Sequence, residues 1–384
     1  MKKLLSLFLI FFCLFSYNEL LLARNKTYIP DSLSLSIRIA ACKDTICIPP
    51  SCEFEPSIRW RVGEWTRGDN QDFRRRHKLR VYIQDYTRSK WVDAGFRLAA
   101  GTDDPLVLDD GLGERHSQRN FYFDRYWVDF HFPATQKYFS LVFGKMKNPF
   151  YTAGNTELIW DSDLNPEGFC TRLDIPGGNW EVLANLGRFS IESRPRAADA
   201  LMLGAQGCLK YKFPGNYKPY LLAGASYYDY INTRGYAPFY LPGLGFGNSL
   251  DSDGNYREDF NDFEAFAEFG FKARAIPVAF FGDYVTNTGA YSEKEAWLVG
   301  FYAGKCRESN SWAIRYNYRE MKRDAVIGLF TDSNFCGGNT ARRGHEIGMD
   351  FKVREIPRVG VTFYRNERIL TRKHYQRFQI ELAL

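Results

Sequence analysis

The sequence predicts an all-β protein, a transmembrane antiparallel up-and-down β-barrel of about sixteen strands. Three observations support this prediction. Apolar and polar residues alternate in windows of about ten residues along most of the chain, as expected of strands with one face in lipid. Short and long connections alternate between these windows. Aromatic residues make up 17% of the chain although its mean hydropathy is -0.38, which fits a barrel with an aromatic outer surface and a polar interior.

The N-terminus carries a predicted signal peptide, residues 1–23. Two lysines precede an apolar run, Leu4–Phe15, which is the pattern of a secretory signal and is too short to span a bilayer comfortably. Cleavage after Ser16 and cleavage after Ala23 are both compatible with the sequence. We therefore expect export, with the Gram-negative outer membrane as the destination of a barrel.

Residues 24–56 predict an irregular periplasmic segment, because four prolines interrupt it. Cys42, Cys47 and Cys52 lie close together there and are expected to form disulfides, with the partner of each left open. A zinc site would need four nitrogen or sulfur ligands in tighter pairs, and no histidine accompanies these cysteines. We expect no metal and no cofactor.

Residues 57–384 predict the barrel. Between Asp262 and Arg274 one phase of the alternation is apolar and the other carries most of the charge. An Arg on the lipid face near the bilayer midplane costs roughly 2–4 kcal/mol, whereas an Arg inside a wet barrel stays hydrated. We therefore expect the charged phase to point inward. The strand windows are 58–65, 77–88, 91–101, 120–132, 137–146, 168–175, 179–191, 200–213, 217–230, 262–274, 277–288, 295–305, 311–321, 345–354, 358–369 and 375–384.

The connections sort into short turns and long loops, which is typical of an outer-membrane barrel with both termini in the periplasm. A soluble β-sandwich, the alternative for this composition, has no reason to sort its loops in this way. The last window ends in Leu384, whereas outer-membrane barrels usually end in an aromatic residue that the barrel assembly machinery recognises. Recognition by that machinery is therefore expected to be weaker or different here.

The third long loop stands out within the stretch FGKMKNPFYTAGNTELIWDSDLNPEG, residues 143–168. Asn-Pro pairs fix turns near both ends, and several aromatic and aliphatic residues give the loop an apolar side. We expect it to fold into the pore, with its carboxylates facing water at the constriction; a loop lying over the rim is the alternative. The predicted constriction residues are Glu157, Asp161, Asp163 and Glu167.

The GKMKNPF and WDSDLNPEG portions of this stretch resemble the signature segment of the bacterial putative-porin family, and a second resemblance covers 332–351. The match is specific in these segments and extends over most of the chain only through strand spacing. The resemblance implies a general porin of the outer membrane, a channel for passive diffusion, and a homotrimer.

Basic residues on the polar phase of several strands are expected to face the acidic loop. Such an arrangement creates a transverse field that favours small hydrophilic solutes over apolar ones, with at most a mild ion preference. Screening over about 8 Å at physiological salt reduces the effect of a small surplus of either charge. The predicted basic wall consists of Arg59, Arg61, Lys78, Arg80, Arg97, Arg315 and Arg319.

Other functions are weighed against this one. A substrate-specific channel for sugars or anions would use the same fold. An outer-membrane enzyme is disfavoured because the five histidines are scattered and no Gly-x-Ser-x-Gly motif occurs, and a structural envelope protein is a third alternative. The net charge of +6 contains no long Lys/Arg run, so we expect no nucleic-acid partner; the expected partners are outer-membrane lipid and small solutes or ions.

Overall fold

The computed structural model describes residues 53–67, 74–88, 91–100, 110–111, 120–132, 138–354 and 357–383. The predicted signal peptide, almost all of the predicted periplasmic segment and its cysteine cluster lie outside these ranges and stay predictions. The first strand begins at Glu53, earlier than the predicted start of the barrel at residue 57.

Sixteen long strands and one two-residue strand make up the described sheet. The strands are β1 Glu53–Arg67, β2 Arg74–Arg88, β3 Val92–Ala100, β4 Asp110–Gly111, β5 Phe121–His131, β6 Phe139–Lys145, β7 Glu167–Pro176, β8 Trp180–Glu192, β9 Ala200–Lys212, β10 Tyr220–Ile231, β11 Phe260–Ala273, β12 Ile276–Asn287, β13 Glu295–Gly304, β14 Ser311–Met321, β15 Arg342–Lys352, β16 Arg358–Arg368 and β17 His374–Ala383. Among the described residues, no helix is long and apolar enough to cross a membrane.

The sheet closes into a barrel. Each long strand pairs antiparallel with the next, and β1 pairs with both β2 and β17. The short strand β4 pairs only with one end of β2, while β3 pairs directly with β5, so β4 stands outside the ring. The ring therefore has sixteen strands, which confirms the predicted architecture.

The two faces of the wall follow the predicted alternation. On β11, Asp262, Glu264 and Glu268 point inward and are buried, while Phe263 and Phe269 point outward and are 41% and 43% exposed. Outward aromatic and aliphatic side chains can meet lipid, and inward charges avoid it. The charged phase thus points into the barrel, as the sequence indicates.

Short turns connect the strands at one end of the barrel and longer loops at the other. In outer-membrane barrels the short turns lie on the periplasmic side and the long loops outside. Three outer loops are important below: the third loop (146–166), the fifth loop (232–259) and the seventh loop (322–341). Buried apolar side chains from these loops and from β6 to β14 form one hydrophobic cluster. This cluster lies inside the barrel, on one side of its interior.

Candidate functional site

The third loop is attached to the inward face of strands far from its own ends. The Tyr151 amide donates to the Gln206 side chain on β9 at 2.7 Å, and the Tyr151 hydroxyl donates to Glu268 on β11 at 3.0 Å. The Gly154 amide donates to the same Glu268 carboxylate at 2.9 Å. Gly154 has φ of +63°, and a Cβ there would lie 2.4 Å from the ring of Phe281, so the turn requires glycine. These contacts hold the loop against the inner wall.

Stacked aromatic rings join the third loop to the fifth and seventh loops. Trp160 of the third loop stacks on Phe330 of the seventh, with ring centroids 5.7 Å apart and planes 12° from parallel. Phe330 in turn stacks on Phe239 of the fifth loop at 5.9 Å and 5°. Trp160 also contacts Tyr228 and Tyr230 of β10 edge-on or tilted. Because all five side chains are buried, this stack joins the three loops to the wall as one apolar unit.

Three carboxylates meet where the third loop contacts the seventh. Oxygens of Glu157, Asp161 and Asp332 lie within 4.8 Å of one another. Burial, together with Asp163 and Asp332, raises the pKa of Asp161 to about 7. Burial, together with Asp332 and Asp161, raises the pKa of Glu157 well above its ordinary value. Glu157 and Asp161 therefore hold a proton to higher pH than exposed carboxyls do.

An oxygen-only donor set of this kind suits a hard cation such as Ca²⁺. Each carboxylate, however, already accepts hydrogen bonds that shape the loops. Asp161 accepts from the amides of Asp163 and Ser333, both at 2.8 Å. Glu157 accepts from the Ser162 amide at 3.0 Å, and Asp332 accepts from the Asn334 amide at 2.8 Å. The three groups thus act as structural acceptors between the loops, and we assign no metal to them.

Arg319 is the cation that meets this acidic group. Its guanidinium donates to Asp332 at 3.0 Å, to Glu346 of β15 at 2.5 Å and to the Glu157 carbonyl at 3.5 Å. The side chain is 1% exposed, and its face lies 4.4 Å from the centroid of the Phe335 ring. Arg319, one of the predicted wall residues, therefore links β14 and β15 to both loops.

The other end of the third loop meets arginines on β2 and β5. Asp163 forms a two-bonded ion pair with Arg80, which is itself buried. Asn165 accepts from Arg125 at 2.6 Å and donates to Asp124 at 2.7 Å, and Asp124 in turn pairs with Arg97. The structure thus brings residues of the third loop into contact with arginines of the wall. Each pair is in direct contact, so neither of the carboxylates in these pairs faces its arginine across open water.

Two details of the sequence prediction are wrong. Asp161 is only 2% exposed, so its carboxylate faces the seventh loop and not water. Glu167 is the first residue of β7, two residues before the outward-facing Phe169. Because side chains alternate along a strand, Glu167 lies on the outer face of the wall. There its carboxylate accepts a hydrogen bond from the Tyr126 hydroxyl. Of the predicted basic residues, Lys78 lies on β2, and its side chain is outside the described part of the chain.

The remaining predicted residues line a cavity of about 670 Å³ inside the barrel. The cavity extends from the third loop at Glu157 to the turn between β13 and β14. Arg59, Arg61, Arg315 and Arg319 all border it. Arg61 pairs with Glu381 of β17 at 2.7 Å. The predicted wall on β1 and β14 therefore faces an open space on the periplasmic side of the third loop.

Sequence reasoning missed the role of the seventh loop. Asp332 and Phe330 are as central to the loop junction as any residue of the third loop, yet only the family resemblance at 332–351 drew attention to this region. A mainly apolar run followed by an acid, IGLFTD, occurs at Ile327–Asp332 in a long loop. A buried-type apolar run in an outer loop is the signal that could have indicated an inward fold.

A closed ring of sixteen antiparallel strands, with short turns at one end and longer loops at the other, is typical of an outer-membrane barrel of the porin class. The family described as Putative porin matches residues 57–241 and 256–383, and the chain belongs to this family. It is therefore a porin-type channel protein of the outer membrane. A search of curated proteins gave no match.

Solved porin structures share the fold. Pseudomonas putida OprB aligns with a TM-score of 0.54 and 10% identity, covering 87% of this chain and 94% of that chain. Salmonella typhi OmpF, in a complex with daunomycin, aligns at 0.51 and 9% identity, covering 87% and 97%. A loop L8 deletion mutant of OmpT, an outer membrane protein of Vibrio cholerae, aligns at 0.51 and 9% identity, covering 87% and 100%. At these identities the likeness concerns the fold.

Proposed function

We propose that this porin allows passive diffusion of small hydrophilic solutes through a water-filled channel that the third and seventh loops narrow. One observation carries the proposal. The third loop leaves the wall between β6 and β7 and is hydrogen-bonded to inward side chains of β9 and β11, beside a cavity lined by charged residues. A sixteen-stranded barrel is wide enough to hold an aqueous channel, and what lines its narrowest part determines what passes.

The proposed constriction differs in detail from an acidic loop facing a distant basic wall. Glu157 and Asp161 are committed to the loop junction, and Asp163 is paired with Arg80. The charged groups that remain beside the cavity are mainly on β1 and β14 to β17. We therefore place the field across the channel between these strands and the loop edge.

Planar-bilayer recording of the refolded protein tests the proposal. We expect discrete conductance steps, and we expect liposomes containing the protein to swell in neutral sugars at a rate that falls with sugar size. Correctly folded protein that produces no channels would overturn the proposal. Blocking of the current by one solute class would favour the substrate-specific alternative, and the basic lining of the cavity favours anions over sugars in that case.

We also propose that the protein is exported by the N-terminal signal, inserted by the barrel assembly machinery and assembled as a homotrimer. Chemical cross-linking in the membrane, followed by gel electrophoresis without heating, tests the trimer. A monomeric band under both conditions would contradict it.

A further inference from the structure

The charges around the 670 Å³ cavity are unequal. Seven basic side chains line it, but only four acidic ones: Glu157, Glu346, Asp350 and Glu381. Burial and the neighbouring Asp332 and Asp161 raise the pKa of Glu157, which weakens its negative charge further. Net charge of the whole chain does not reveal this surplus, because it belongs to one face of the interior.

The remaining acids are already occupied by arginines. Glu381 pairs with Arg61 at 2.7 Å. Glu346 pairs with Arg319, and Asp350 lies 3.0 Å from Arg315 and 4.0 Å from Arg358. Asp350 thus interacts with two guanidinium groups, one on each of the strands that flank β15. An ion entering the cavity meets more positive charge than these carboxylates neutralise.

The Arg315 side chain is fixed by contacts with its neighbours but remains accessible from the cavity. Its nitrogens contact Glu346 at 3.5 Å, Asp350 at 3.0 Å and the Thr362 hydroxyl at 2.8 Å. A Cβ at Gly348 would lie 2.4 Å from the Arg315 guanidinium carbon, so the absent side chain lets the guanidinium lie flat on β15. The side chain is nevertheless 43% exposed, and that of Arg358 is 45% exposed. A guanidinium fixed by such contacts loses little entropy when it binds an anion.

Two further cations lie where the cavity meets the periplasmic turn. Lys305 and Arg307, both exposed, belong to the turn between β13 and β14 and line the cavity. Neither forms an ion pair with any residue that the structure describes. They extend the positive surface from Arg315 to the periplasmic mouth, where an anion added from the periplasmic side would first meet it.

We propose that this cavity binds small anions carrying a carboxylate or phosphate group, with Arg315 and Arg358 as the direct contacts and Lys305 and Arg307 as the entrance. This inference rests on the proposed channel function and assigns its solute class. The planar, forked donors of arginine match the paired oxygens of a carboxylate or phosphate. Neutral sugars of the same size lack the charge that this surface attracts.

Reversal potentials of the full-length protein in a KCl gradient test the inference. Wild-type channels are expected to pass chloride in preference to potassium. Arg315→Gln and Arg358→Gln should each lower the chloride-to-potassium permeability ratio about threefold, because each removes one exposed charge from a poorly screened space. The matched control is Arg343→Gln, which removes an arginine from the outward face of the same barrel, near β15's outer end. The control should leave the ratio unchanged.

Block of the current by added solutes distinguishes anion binding in the cavity from a purely electrostatic preference for anions. Inorganic phosphate and succinate, added separately on the periplasmic side, should each reduce the chloride current, and glucose should not. Gly348→Ala keeps every charge but displaces the Arg315 guanidinium, so it should weaken block by phosphate and succinate while the permeability ratio changes little. Block by only one of the two anions would assign the site to that group.

The outcomes separate the two proposals. Absence of channels would overturn the proposed function itself. Channels that show no chloride preference, or a preference that both arginine variants leave intact, would overturn the anion site while the channel stands. Variants that fail to fold are recognised because they lose heat-modifiable migration on gels. If the arginine variants fail to fold, the folded Gly348→Ala variant tests the anion site. Unchanged block by phosphate and succinate in this variant would refute the role of Arg315.

Discussion

Replacement of Arg319 by Gln should loosen the junction between the third and seventh loops. The change removes the cation that Asp332 and Glu346 share, and both carboxylates are largely buried. Breaking a buried ion pair from one side costs about 3–5 kcal/mol, because the remaining charge is left without a partner. The shorter Gln side chain also loses the bond to the Glu157 carbonyl and the contact with the Phe335 ring.

Hydrogen exchange at backbone amides of the seventh loop measures the loss of stability at the loop junction itself. The amides of Asn334 and Phe335 donate to Asp332, so they report directly on its placement. A loss of about 3–5 kcal/mol corresponds to roughly 10²- to 10⁴-fold faster exchange, if the loop opens without the barrel unfolding. Single-channel records of the same variant should show a larger and noisier open current, since a released loop no longer holds one position.

The matched control is Arg343→Gln on the outer wall. Arg343 pairs with Glu367 at 3.0 Å on the outer face of the wall, where an ion pair of this kind contributes little to stability. Exchange in Arg319→Gln that matches wild type within about threefold would refute the reasoning.

Three further predictions concern the same interior. The pKa of Asp161 is about 7 in the folded protein against an ordinary 3.8, so between these pH values the folded state binds a proton that the unfolded state does not. The stability of the loop junction should therefore fall as the pH rises from about 4 to about 7 and should not change further above pH 7. Exchange of the Ser333 amide measures this fall, and Asp161→Asn should abolish the pH dependence. Asp262→Leu should raise the free energy of urea unfolding by about 1–3 kcal/mol, because neither oxygen of this fully buried carboxyl has a hydrogen-bond partner among the described residues; a decrease would contradict this. Trp160→Ala should destabilise the packing of the third loop by about 3–5 kcal/mol and speed proteolysis within 146–166, whereas Trp160→Phe should destabilise it less. Equal proteolysis of both variants and wild type would show that the aromatic stack does not hold the third loop in place.

The barrel could be predicted from sequence because lipid imposes a local rule. At β11 the charged residues must all lie on one phase, since any of them on the outer face would be penalised. Period 2 then determines the face of each residue without knowledge of its neighbours. The same rule explains the error at Glu167: read as part of a loop it has no assigned face, but as the first residue of β7 it shares the phase of Phe169.

The loop junction could not be predicted in the same way, because its contacts join distant parts of the chain. Trp160 stacks on Phe330, and the Asp161 carboxylate accepts from the Ser333 amide. A separation of 172 residues leaves no periodic pattern for the second contact. An acid in a loop looks solvated until its partners are known, so the sequence alone predicts that Asp161 faces water.

The loops also decide which charges of the interior meet water. On β11 and β12, Asp262, Glu264 and Asp283 point inward but are buried on the side of the barrel where the loops pack. Arg315 and Arg358, on β14 and β16, stay open to the cavity. The wall therefore carries both signs, but the third loop and its partners cover an acidic part and leave a basic part exposed. Because selectivity depends on exposed charges, the net charge of +6 of the whole chain does not by itself indicate which charges a diffusing ion meets.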